Sequence, residues 1–209
     1  MEINISELQK SNLDIRCLNC NQMPKLRIKE DYTKWLPETS FDLVLVSYSL
    51  NELNEELREK IVKLLWKITN KVLIIVDSGT PQSSKMIKDI RQLLIDEGAH
   101  VLAPCPHSNK CPISDDDWCH FVTRVERSKL HKYLKGGDAP YEDEKYSYIA
   151  LSKIQPINLI SYRVMRHPII GKGNINLTLC GPNGIEEKRL FKCDPLFKAA
   201  KKVKCGENL

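Results

Sequence analysis

The stretch CPHSNKCPISDDDWCHF, residues 105–121, gathers three cysteines and two histidines. Thiolates and imidazoles at this density are metal-ligand chemistry. Five residues separate Cys105 from Cys111, and seven separate Cys111 from Cys119. Pro104, Pro106 and Pro112 deny the backbone a regular structure, so the segment is a loop shaped around something. Zinc fingers and ribbons usually present closely paired cysteines, and none occur here. Iron–sulfur clusters draw four thiolates from irregular loops, often with one remote in sequence. Cys180 is the available fourth, ending NINLTLC immediately before the turn GPNG. The chemistry leaves iron–sulfur and zinc level, with structural thiols as the remaining reading. His107 and His120 are read as hydrogen-bonding neighbours of the thiolates rather than ligands. The triplet Asp115–Asp117 lacks the oxygen spacing of a calcium loop and is expected to be exposed.

The other cysteines carry less. Cys17 and Cys20 have knuckle spacing in CLNC. If 13–19 is a strand, however, residues three apart point to opposite faces, and no second CxxC completes a site. Cys193 and Cys205 stand in basic surroundings without nearby partners. All four are read as ordinary thiols.

The elements that must position the loop alternate between strand and helix. LDIRCLN (13–19) and FDLVLVSYSL (41–50) read as strands, the second nearly continuous in apolar residues, as in a parallel strand covered on both faces. A helix follows with Leu57, Ile61, Leu64, Leu65 and Ile68 on one stripe. VLIIVD (72–77) is a buried strand. Thr80 then caps a helix with Pro81 at its first position, running to about Asp96 with Met86, Ile90, Leu93 and Leu94 inward and Gly98 beyond its end. YSYIALSK (146–153) reads as an antiparallel edge strand. After Pro156, three strands (ISYRVMR, NINLTLC, IEEKRLFK) and a final helix over 194–204 make a β-rich appendage. The expected organisation is an α/β domain over 1–153, with the cysteine loop at 104–121, and a small β-rich domain over 154–209.

In open α/β sheets ligands bind beyond the carboxyl ends of the strands. Ser47, Asn51, Asp77 and Ser78 hold such places and are the candidate cofactor-binding positions. No glycine-rich turn between a strand and a helix precedes residue 13, so the chain reads as an α/β domain without its first half. No residue presents a convincing general base. Asp77 and Glu52 are candidates by position only, and no catalytic residue is assigned.

Composition bounds the setting. The 209 residues are 42% apolar and 28% charged, which is globular. No apolar run approaches the ~20 residues of a membrane span, and the start resembles neither a signal nor a transit peptide. A reducing compartment is expected, where cysteine clusters bind metal more often than they form disulfides. The net charge of +5 is concentrated. Arg124, Arg127, Lys129, His131, Lys132 and Lys135 form one group, and Lys198, Lys201, Lys202 and Lys204 a second. Each has the make-up of a phosphate-binding patch or of a solvated helical face.

Several of these segments together resemble one family. APCPHSNKCPI, DWCHF, RVERSKLHK, KGG and YEDEKYSYIAL are similar to the core signature of the methyltransferase-like assembly factors of the small ribosomal subunit, found in mitochondria and with bacterial relatives. FDLVLVSYSLNEL, IVDSGTP and RVMRHPIIGKGNINLTLCGPNG extend the resemblance over about residues 13 to 205. It implies a class I methyltransferase (Rossmann-type) sheet, a 4Fe–4S cluster on Cys105, Cys111, Cys119 and Cys180, and association with the small ribosomal subunit. Arg124, Arg127, Lys129, Lys132 and Lys135 would then lie near ribosomal RNA. Family members carry an upstream glycine-rich S-adenosylmethionine loop, which this chain lacks. Methyl transfer by this chain alone is therefore not expected. Either a separate N-terminal companion chain completes it, in which case methyl transfer to ribosomal RNA or protein is the alternative function, or the chain is a decayed remnant; a zinc-stabilised RNA-binding module is the further alternative. The Lys- and Ile-rich composition points to a bacterial cytoplasm, with the mitochondrial matrix as the alternative.

Overall fold

In the computed structural model, which describes residues 39–157 and 161–209, the apolar runs at 41–47 and 72–77 become neighbouring parallel strands. They are β1 (Phe41–Ser47) and β2 (Thr69–Ser78), joined through a 3₁₀ turn and α1 (Glu55–Ile68). Helix α2 (Pro81–Asp96) and strand β3 (His100–Ala103) follow. The cysteine loop then leads to β4 (Phe121–Glu126), α3 (Lys129–Lys135) and the long strand β5 (Tyr141–Ser152). The sheet order is β1-β2-β5-β3, with β4 also paired to β5. The strand and the CLNC motif expected near 13–20 lie outside the described residues.

Strand β5 corrects an expectation. It is antiparallel as read, but it is central rather than an edge. Its second half pairs with β2 on one side and β3 on the other, and its first half pairs with β4. Ile149, Ala150, Leu151 and Ser152 are all buried, as an interior strand requires. The charged first half, YEDEK, made the segment look peripheral. It belongs to the β4–β5 ladder, which carries α3 at its tip.

Helices α1 and α2 pack against each other and against one face of the sheet. Ile61, Val62, Leu65 and Trp66 from α1 meet Met86, Ile87, Ile90 and Leu94 from α2 over Val44, Val46, Leu73, Ile75, Ile149 and Leu151. Each fully buried Leu or Ile here contributes about 1.5–3 kcal/mol. The α1 stripe is rotated from the expected one. Val62 and Trp66 face inward, while Leu64 is exposed. Asn54 caps α1 by accepting the Leu57 N–H at 2.9 Å, and Thr80 caps α2 by accepting the Ser83 N–H at 3.2 Å. On the opposite face of β1, Leu43 and Leu45 are 46% and 51% exposed.

Past residue 161 the chain forms a second, four-stranded sheet centred on β8 (Asn174–Gly181). It pairs with β6 (Arg163–Val164), β7 (Ile169–Ile170) and β9 (Gly184–Phe191). Strand β7 was not expected, and β6 is shorter than read. Its core is Val164, Ile175, Leu177, Leu179, Leu190 and Ala200. The last helix, α4, contracts from the expected 194–204 to Phe197–Ala200. Beyond Ala200 the lysine run offers only Val203 to that core, too little burial to hold further turns.

Candidate metal centre

Loop 104–120 is held by its carbonyls. Along α2, Ser84, Lys88 and Arg91 are spaced by four and then three residues, which puts them on one helical face. Ser84 Oγ donates to the Cys119 carbonyl at 2.9 Å, and Lys88 Nζ to that of Ile113 at 2.9 Å. Arg91 Nη2 donates to the carbonyls of His107 and Asn109 at 2.8 and 2.7 Å. Strand β5 adds Ser147 Oγ, which also donates to the Cys119 carbonyl, at 2.8 Å. From the second sheet, Arg163 Nε donates to the Pro104 carbonyl at 2.8 Å. The indole of Trp118 donates to the Gly79 carbonyl at 3.1 Å. Gly79 is required there, since a Cβ would lie 2.6 Å from that of Lys145.

This clamp turns the cysteines inward. Cys105, Cys111 and Cys119 line a cavity of about 600 Å³, together with Arg91, Ile113 and Tyr148. Cys180, at the end of β8, is buried with Ile113 and Met165, and Cys111 and Cys119 pack against that cluster. Four thiols from a loop and a separate sheet thus converge. None of these cysteines is in a disulfide.

The thiols act on one another. Burial pushes Cys119 well above the usual thiol range, and Cys105, Cys111 and Cys180 add to the shift. Cys180 is pushed up to about 12, first by burial and then by Cys105 and Cys111. Burial raises Cys105 as well, opposed chiefly by the Arg91 guanidinium. Cys105, Cys119 and Cys180 are therefore held as neutral thiols. Among the described residues, no three His, Cys, Asp or Glu side chains are gathered closely enough to hold a single metal ion. A tetrahedral zinc would draw its sulfurs to within ~4 Å of one another. A four-iron cluster would interpose iron and sulfide between its thiolates, and the residues that would hold it are Cys105, Cys111 and Cys119 at the cavity wall with Cys180 packed behind them. One buried donor of the cavity wall, Arg91 Nε, has no partner in the described structure. A group with acceptor sulfurs would supply what it lacks.

The remaining candidates are placed as follows. His107 is buried with Nε2 4.0 Å from Cys180 Sγ, while His120 stacks on Trp118. Asp115 pairs with Lys88 and Asp117 with Arg166, and the aspartate triplet is exposed as expected. Ser47 and Asn51 are exposed near the end of β1. Asp77 is fully buried instead, its Oδ1 accepting from the Ser78 N–H at 2.7 Å and Ser83 Oγ at 3.0 Å. It orders the start of α2 rather than lining an open crevice beside Ser47 and Asn51. In the basic block, Arg124 is bidentate to Asp143, while Arg127 and Lys135 converge on Glu142. Lys129 is exposed and Lys132 half-buried, and neither has a carboxylate partner among the described residues.

Arg91, Arg163, Ser84, Lys88 and Ser147 were not singled out from sequence. The available signal was the polar stripe 84–88–91 on the inner side of an otherwise amphipathic helix.

The α/β sheet, with one parallel pair continued by an antiparallel central strand, is of the Rossmann-like methyltransferase type, here joined to a cysteine-lined cavity. The family described as "Mitochondrial small ribosomal subunit Rsm22" matches residues 7–209. The chain belongs to that family. It is 26% identical over 159 residues to the human "Ribosome assembly protein METTL17, mitochondrial", covering 71% of this chain and 34% of that protein. It is 25% identical over 162 residues to "Rsm22-cox11 tandem protein 2, mitochondrial" of Schizosaccharomyces pombe, covering 66% of this chain and 21% of that one. The figures are the same for tandem protein 1 of that yeast. The chain thus spans about a third or less of the length of these relatives. All three carry mitochondrial names, in line with the mitochondrial alternative for its location.

Proposed function

We propose that this chain is the metal-bearing part of an assembly factor for the small ribosomal subunit. Cys105, Cys111, Cys119 and Cys180 hold a 4Fe–4S cluster whose role is to lock the fold. The observation that carries this reading is that three loop thiols line one cavity while the fourth, Cys180, is packed against two of them from the second sheet. Bound there, the group would tie loop 104–120 to β8 and couple metal to folding. The family supports the ribosomal role. Bacterial cytoplasm and mitochondrial matrix both provide a reducing setting and a small subunit to act on.

Contact with ribosomal RNA is assigned to Lys129 and Lys132, because Arg124, Arg127 and Lys135 are engaged by carboxylates of the same arm. Reversing both lysines to Glu should weaken RNA binding and flatten its salt dependence by about one unit per lost phosphate contact, while Arg124→Gln changes little. Binding curves at several salt concentrations measure this. S-adenosylmethionine has no part in the proposal for this chain. A companion chain would dock at the outer edge of β1, which has no strand partner among the described residues and whose outer face carries the exposed Leu43 and Leu45. Co-purification on the tagged chain tests for it.

The deciding experiment is anaerobic purification with iron, acid-labile sulfide and zinc analysis. The expected result is about four irons and four sulfides per chain, lost in Cys180→Ser. Cys105→Ser should likewise abolish co-sedimentation with the small subunit. One zinc without sulfide would replace the cluster by a zinc site. Unchanged co-sedimentation in both variants would separate the metal from ribosomal association.

A further inference from the structure

Two arginines stand beside the thiols without a carboxylate partner among the described residues: Arg91 lines the cavity with Cys105, Cys111 and Cys119, and Arg163 is the β6 partner of Cys180. Arg91, from α2, is 3% exposed, and Arg163, from β6, is 9% exposed. Among the described residues neither forms an ion pair. Other cations at the site do: Lys88 meets Asp115, and Arg166 meets Asp117. Arg91 and Arg163 instead donate to main-chain carbonyls, those of His107 and Asn109 for Arg91 and of Pro104 and Gly206 for Arg163. A carbonyl satisfies a donor but does not cancel a charge. Two buried guanidiniums without an anion are a costly arrangement. A third observation points the same way, since the buried Arg91 Nε has no acceptor.

We propose that Arg91 and Arg163 are the buried counter-cations of an anionic, four-thiolate metal group, and that Arg91 Nε–H is a hydrogen-bond donor to its sulfur. This rests on reading the four cysteines as the ligand set. On loading, four thiols lose four protons and become thiolates, and the metal core brings two positive charges. The group is then doubly negative, matching two guanidiniums. Without that anion, the described residues offer no negative charge to oppose the two guanidiniums. Both arginines act on Cys105 and on Cys180, so the pair spans the loop ligands and the remote one. The match holds for zinc as for an oxidised four-iron cluster, so it does not depend on which metal the thiols take.

The test compares wild type with Arg91→Gln, Arg91→Lys, Arg163→Gln and Arg163→Lys, purified anaerobically, with exposed Arg124→Gln as control. The readouts are the rate of metal loss to a chelator and, where iron and sulfide are present, the midpoint potential. Each Gln variant should lose metal about 10- to 100-fold faster, the usual scale for residues that support metal ligands. The midpoint should move to more negative values, because removing a cation disfavours adding an electron. Each Lys variant, keeping the charge, should recover most of the potential. If Lys and Gln variants of both arginines lose metal equally fast and leave the potential unmoved, the arginines only anchor carbonyls and the proposal is overturned. A wild-type chain holding zinc, released faster by the Gln than by the Lys variants, would refute the cluster and keep the counter-cations. A wild-type chain holding neither metal would refute both.

Discussion

Burial keeps the Cys180 thiol protonated, pushed up to about 12, until a cation displaces its proton. Its neighbours Cys105 and Cys119 are held neutral in the same way. Residue type and loop composition made these cysteines legible, since prolines and thiols in one short stretch leave few other uses. The arginines were not legible. Whether a cation is buried depends on which surfaces close over it, and nothing local in QSSKMIKDIRQ announces that. The burial of Asp77 was illegible for a related reason. Its place at the end of a strand suggested a crevice, but Ser83, one turn into α2, donates to it. Removing that donor in Ser83→Ala should cost about 1–2 kcal/mol, read by chemical denaturation. A loss near zero would mean the carboxylate is satisfied without it.

The elements show where periodicity informs and where it misleads. Helix α2 was readable almost to the residue, because Thr80 and Pro81 start it and the apolar stripe runs its length. Strand β5 was not, because five polar residues at its start belong to a different pairing from the apolar ones that follow. That polar half and β4 form an arm whose ion pairs face solvent. Lys135 holds the Glu142 carboxyl below the usual range, with help from Arg127, and Arg124 does the same for Asp143. Because these folded-state values are depressed, their stabilisation is present above the ordinary carboxylate range and is lost as pH falls through the lowered values. Hydrogen exchange should therefore quicken in β4 and the first half of β5 on acidification, before it does at Leu73–Ile75. High salt should act in the same direction. Simultaneous loosening of arm and core would contradict the assignment.

At the scale of the whole molecule, the two sheets meet through the cysteine loop. Besides the thiols, Asn109 donates to the Pro182 carbonyl at 3.4 Å, and Arg163 reaches Pro104. The class of each half could be read from sequence, but not this meeting, which depends on surfaces distant along the chain. Removing the metal proposed for the four thiols should therefore loosen the connection more than either sheet. The expected result is a fall in Tm on the order of 5 °C, roughly 2 kcal/mol for a chain of this size. Proteolysis should then begin within 105–120. Cleavage confined to other loops would show that protein contacts alone hold the halves together.

The position of Cys180 in the sequence also sets an order in time. Three of the four thiols leave the ribosome well before the fourth, and β8 must find its neighbours before that side chain reaches the cavity. With the metal proposed above, a chain interrupted earlier would offer three ligands but not the closed set. Loading would then mark a finished and folded copy, and the metal would act as a checkpoint on the chain's own synthesis.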